Sequence, residues 1–212
     1  MSVRSAQQGF SLVEVLVAFL VMAIGLLGVV KLQGIAQDSA VQANQRARAV
    51  ALAESMIERV RSTPSAMASY VDTGTGLSPV LGLDGYSATS GCSNSGRISC
   101  GGNTEASFAL FNLDRWHEEL RGSLIQASGT QVGGLLEPAG QLAFTADTGL
   151  TNTGQLTVTV QWCSSALVAG SGTAALSGST DCAGLDGIRQ QVSVTTRVLD
   201  VAELWGVHRA FR

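Results

Sequence analysis

One carboxylate stands alone in an apolar run. Between Phe10 and Val30 the only charged residue is Glu14. A carboxylate at the centre of a membrane-inserted helix costs roughly 2.5–3.5 kcal/mol, so an ionisable group in such a segment marks function by default. The chemistry it offers is pairing with a cation, because an unpaired charge in lipid costs several kcal/mol. The other reactive side chains form no comparable constellation. Four cysteines stand at Cys92, Cys100, Cys163 and Cys182, and two histidines at His117 and His208. The spacings C-x7-C and C-x18-C are not those of zinc sites, and the histidines are remote from them. No serine sits in Gly-x-Ser-x-Gly, and His117 reads as a surface or core-edge histidine. Asp181 and Asp186 among glycines lack the ligand spacing of a calcium loop. We expect no catalytic site, no metal and no cofactor.

The elements that must position Glu14 follow from the pattern around it. Phe10 to Val30 is ~21 residues, about 30 Å as a helix and enough to cross a hydrocarbon core. The polar stretch Met1 to Gly9 is too short for an ordinary secretory signal. Gly25 and Gly28 suit either a softened helix or close approach of a neighbouring one. Beyond Lys31, small or apolar residues recur at Ala36, Ala40, Ala43, Ala47, Val50, Ala53, Ile57 and Val60, one face of a continuing helix. The face enlarges at Leu52, Met56, Ile57 and Val60, where a domain is expected to grip it. Pro64 biases Thr63 out of helical geometry, so the helix should stop near Ser62 after roughly 80 Å. Arg46, Arg48, Arg59 and Arg61 read as its solvated or partner-facing side.

The remaining chain suffices for one core. Pro64 to Asn103 is rich in Gly, Ser, Thr and Asn, an ordered loop anchored by Tyr70-Val71, Val80-Leu81 and Ile98. Leu110, Leu113, Trp116, Leu120 and Leu124 predict a helix over 105–127, with Asn112 or Asp114 as candidate caps. Gln141 to Ala146, Leu156 to Trp162 and Val192 to Val198 predict strands, the last two by period-two alternation. Leu204, Trp205 and Phe211 in the tail are free to dock or protrude. Four cysteines allow three pairings. The local pairs Cys92–Cys100 and Cys163–Cys182 are favoured, since each brackets a Gly/Ser-rich loop.

Gly9-Phe10-Ser11-Leu12-Val13-Glu14, with its short leader and apolar sequel, resembles the type III signal of type IV pilins and pseudopilins. Within that superfamily the chain is similar to the type IV pilus modification protein PilV family. The shared features are the Ala/Arg-rich stretch Gln45 to Arg61, Asp114-Arg115-Trp116 and Val158-Thr159-Val160-Gln161-Trp162. Lys31 stands where major pilins carry a helix-disturbing proline, which points to a minor subunit.

The resemblance implies an α+β, pilin-like fold: a long N-terminal helix packed on an antiparallel sheet, with disulfide-closed loops. It implies a cleaved leader over 1–9, a membrane and assembly helix over 10–30, its amphipathic continuation over 31–62 and a globular domain over 63–212. Cleavage follows Gly9, Phe10 becomes the N-methylated terminus, and Glu14 neutralises the amino terminus of an adjacent subunit. The implied partners are prepilin peptidase, other minor pilins, the major pilin, a tip adhesin and the inner-membrane platform protein. The implied location is the inner membrane, single-pass with the domain in the periplasm, and then the tip of an extracellular pilus. Disulfides persist in such a compartment. A minor pseudopilin of type II secretion, and a pilus-tip adhesin or DNA-uptake pilin, share the signal. Net charge is −3 with only 14% charged residues, so no nucleic acid is expected from bulk electrostatics.

Overall fold

The computed structural model describes residues 11–83, 92–94, 98–100, 104–122, 126–127, 130–131, 134–164, 176, 182 and 188–210, with the backbone alone for the short strands between 92 and 131 and for 206–210. Two units are distinguished, Met1–Ala43 and Asn44–Arg212. Helix α1, Leu12–Ser62, runs from the first into the second.

In the first unit α1 is apolar on all sides. From Leu12 to Leu32 every large hydrophobic side chain is exposed within the chain. It is long and apolar enough to cross a membrane, and its most apolar stretch is unburied. Lys31 does not interrupt the helix.

The second unit holds the core. There α1 buries Ala49, Ala53, Met56, Ile57 and Val60. The inward face is thus rotated from the stripe expected through Ala47 and Val50: Ala47 is exposed and Val50 only half-buried. The large residues further down the helix choose the face, because burying Met56 and Val60 together fixes its rotation. α1 ends at Ser62, and a 3-10 turn, Pro64–Ala66, and short helix α2, Met67–Tyr70, follow. Met67, Tyr70, Val71 and Leu81 are buried, so the Gly/Ser-rich stretch is pinned at its near end. Val80 is half-buried, and the Ile98 side chain lies outside the described residues.

Strands β1, Cys92–Asn94, and β2, Ile98–Cys100, form an antiparallel pair. Helix α3 spans Glu105–Arg121. Its cap is Thr104, whose hydroxyl accepts from Ser107 N while the Ser107 hydroxyl accepts from Thr104 N, and not Asn112 or Asp114, which lie inside the helix. It also ends earlier than residue 127, because Gly122 takes a left-handed conformation (φ 69°) and its N–H returns to Glu118 and Glu119 carbonyls. Leu124 lies outside the described residues. A minimal pair follows, β3 Gln126–Ala127 with β4 Thr130–Gln131.

The main sheet is an antiparallel meander of β5 Ala139–Ala146, β6 Gly154–Ser164 and β7 Ile188–Val198, in that order. Register sets Leu142, Val158 and Val194 in one apolar row of the core face, and in the next row pairs Phe144 with Leu156, where β7 contributes Thr196. The opposite face of β6 and β7 is a polar ladder: Thr157 with Thr195 (3.0 Å), Thr159 with Ser193 (3.0 Å) and Gln161 with Gln191 (3.1 Å). The free edge of β5 is taken by residues 76–81. Phe144 N donates to Gly76 O (2.7 Å), Ser78 N to Leu142 O (2.9 Å), and Gly140 and Leu81 exchange two bonds of 2.8 Å. Sequence patterning does not reveal this pairing, since the segment shows no alternation.

Gly140 shows why α3 lies so close to the sheet. A Cβ there would stand 2.6 Å from Trp116 Cη2 and 2.7 Å from Leu120 Cδ1. Cys163 at the end of β6 is bonded to Cys182, with Cα atoms 5.7 Å apart. By loop-closure entropy, a bridge across a separation of 19 residues contributes about 3 kcal/mol.

The last element, α4, Val201–Ala210, is anchored by its first turn. Asp200 Oδ1 accepts from Ala202 N (3.0 Å) and Glu203 N (3.3 Å), an N-cap. Glu203 turns back onto the β5–β6 connection, accepting from Thr151 Oγ1 (2.8 Å) and Asn152 N (3.1 Å). Slight burial pushes its carboxyl up, but the bonds from Thr151 and Asn152 outweigh that and hold it below its ordinary range. A carboxyl depressed in the folded state stabilises above its unfolded pKa and loses that contribution as pH falls through the folded value. Thermal unfolding midpoints should therefore drop on acidification below about pH 4.5. Glu203→Gln should lose part of that slope, and an unchanged acid limb in the variant contradicts the assignment.

Candidate functional site

The candidate site is the start of α1. Ser11 precedes the helix, and its carbonyl accepts from Glu14 N (3.0 Å) and Val15 N (3.4 Å), closing the first turn. Glu14 thus falls in the first turn, where a carboxylate interacts favourably with the helix dipole. Around it Leu12, Val13, Val15, Leu16 and Val17 are all exposed within the chain. This surface is matched by lipid or by other apolar helices and not by water. Gly9 and Phe10 lie outside the described residues. A Cβ built at Gly25, Gly28 or Gly34 meets nothing within 4 Å, so packing within the chain does not require these glycines.

Residues 4–30 match the model of the prokaryotic N-terminal methylation motif. The match supports a type IV pilin or pseudopilin family. Its span contains Gly9, Phe10 and Glu14, and this type IV pilin-like prepilin signal leads directly into the apolar helix. Prepilins bearing the signal are structural proteins, and an apolar N-terminal helix fits their membrane anchoring. No curated protein and no solved structure matches the chain. The long helix, the three-stranded antiparallel sheet and the Cys163–Cys182 bridge together make an α+β, pilin-like fold.

The Arg-rich end of α1 differs from expectation. Arg59 is not on a solvated face: its Nη2 lies 2.5 Å from Glu119 Oε1 on α3, and both side chains are mostly buried. Asn112 Nδ2 donates to Tyr70 Oη (2.8 Å), which lies 2.9 Å from Thr63 Oγ1. Burial pushes the Tyr70 phenol up despite these partners. Arg61 pairs with Glu58 (2.8 Å) and reaches Thr196 on β7. These two guanidiniums fasten the helix to its own domain. Arg46, by contrast, is exposed.

His117 is buried, and its Nδ1 accepts from Gly82 N (2.9 Å). That use fixes the other nitrogen as the proton carrier and makes the ring a structural acceptor. The side chains of His208, Cys92 and Cys100 and the residues Asp181 and Asp186 lie outside the described residues. The backbone register does place Cys92 opposite Cys100. Among the described residues no group of three or more His, Cys, Asp and Glu is arranged to hold a metal.

Proposed function

We propose that this chain is a minor pilin, similar to the PilV family, that takes part in type IV pilus assembly. In this reading prepilin peptidase cuts after Gly9, Phe10 becomes the methylated amino terminus, and Cys92 and Cys100 form a second bridge. The protein then joins other minor pilins in a priming complex at the pilus tip, with the major pilin, a tip adhesin and the platform protein as further partners. The observation that carries the proposal is Glu14 in the first turn of an apolar helix, directly after the cleavage sequence.

The physics of assembly follows from that geometry. A helix apolar on every side moves from lipid to a bundle of similar helices without exposing apolar surface to water. Glu14 supplies the one strong register signal along it. An ammonium and a carboxylate are each costly alone in lipid, and pairing recovers much of that cost. A subunit at the wrong axial position leaves both charges unpaired. Lys31 without a helix break supports the minor role.

Glu14→Ala should leave membrane insertion intact, because the apolar run is only lengthened. It should sharply reduce the number of surface pili, counted by electron microscopy. A wild-type number of pili in that variant contradicts the assigned role.

A further inference from the structure

We infer that His117 is an acid-sensitive latch on the strap of chain that covers the edge of β5. Residues 76–81 form that strap, which ends in the two 2.8 Å bonds between Leu81 and Gly140. The next residue, Gly82, is held by α3: its N–H donates to His117 Nδ1 at 2.9 Å. The fit there is close. Gly82 takes φ 90°, and a Cβ on it would stand 2.9 Å from Pro138 O and 3.4 Å from Leu120 Cβ, so its backbone lies against both α3 and the residue before β5. His117 is only 7% exposed, and a backbone N–H that loses its acceptor in so buried a place pays its full desolvation cost.

This bond and a positive charge compete for one atom. An imidazole that accepts at Nδ1 carries its proton on Nε2, so the proton that charges the ring must go to Nδ1. A protonated Nδ1 is a donor facing a donor, and Gly82 must leave before the ring can charge. The surroundings add little to this. Residues 76–83, the turn Pro64–Ala66 and β5 contain no ionisable side chain, and β2 contains no charged one. In α2 only Tyr70 is ionisable, and its hydroxyl is taken by Asn112 and Thr63. Glu137, ahead of β5, is exposed, and Arg59 of α1 is bound to Glu119. On α3 itself Asp114 and Arg121 flank the ring at i−3 and i+4 with opposite signs, and Glu118 is exposed. Asp84, two residues past Gly82, lies outside the described residues. The latch belongs to the domain and does not depend on the assembly role.

Once Gly82 has let go, the ring takes up a proton near its ordinary value of about 6.5, while the closed form has no place for one at Nδ1, so falling pH favours release. Between about pH 7.5 and 5.0 this linkage raises the opening equilibrium roughly 30-fold. Hydrogen exchange on the full-length protein in detergent micelles tests it, with labelling times scaled for the intrinsic pH dependence of amide exchange. Peptides containing Gly82 should lose protection by that factor, and peptides from β6 should not. His117→Asn keeps an acceptor that does not titrate and should remove the dependence, whereas Asp84→Asn should leave it in place. The chain has two histidines, so in His208→Gln the imidazole nitrogen signals report His117 alone, without any change at the latch. They should show the proton on Nε2 at neutral pH. Equal protection of Gly82 at both pH values in the wild type overturns the inference. So does a pH dependence that survives His117→Asn or vanishes in Asp84→Asn, or a neutral ring with its proton on Nδ1.

Discussion

If the proposed cleavage after Gly9 holds, Gly9→Leu should leave the chain uncleaved, visible in membrane fractions as a single species larger than the wild-type protein. A peptidase must bring its catalytic groups against the scissile carbonyl, and glycine alone presents a bare Cα on that approach. The consequence extends beyond the cut. Without it Phe10 keeps an amide nitrogen and never becomes an ammonium, so the pairing proposed for Glu14 of a neighbour cannot form. Gly9→Leu should therefore lose both processing and incorporation, while Glu14→Ala loses incorporation alone. Gly9→Ala, which adds one methyl, should fall between. Wild-type processing of the leucine variant, followed by immunoblot, refutes the cleavage assignment.

Trp116→Ala should destabilise the domain by about 3–5 kcal/mol. The indole is fully buried beneath Gly140 of β5 and donates from Nε1 to Leu52 O of α1 at 3.0 Å. It therefore touches the sheet and the long helix together. Against a typical domain stability of 5–15 kcal/mol, such a loss leaves a marginal fold. Trp116→Phe retains most of the buried area and loses the donor, so its cost should be near 1–2 kcal/mol. Urea unfolding followed by circular dichroism measures both. Similar midpoints for Trp116→Ala and wild type contradict the role given to this side chain.

Much of the architecture was legible because its signals are local. Pro64 marks the end of α1 near Ser62, and the alternation in Leu156 to Trp162 and Val192 to Val198 marks the two longest strands. What escaped depends on contacts distant in sequence. Residues 76–81 pair with β5 although nothing in their pattern announces a strand, because the bonds come from backbone groups that any sequence offers. Arg59 looked solvated by its charge and is mostly buried, because Glu119, 60 residues away, neutralises it. α3 ends before its apolar period does for a local reason: Leu124 continues the period, but Gly122 has already reversed the backbone. At the N-terminal site the residue types carried nearly everything. A lone carboxylate in an apolar run is conspicuous in one dimension, and the helix adds that it stands in the first turn.

The most direct test of the central claim is the mass of the amino-terminal peptide of the protein isolated from membranes. A mature chain beginning at Phe10 with a methylated amino group is the expected result. A chain that retains Met1 to Gly9, or one cut elsewhere with an unmethylated terminus, contradicts it.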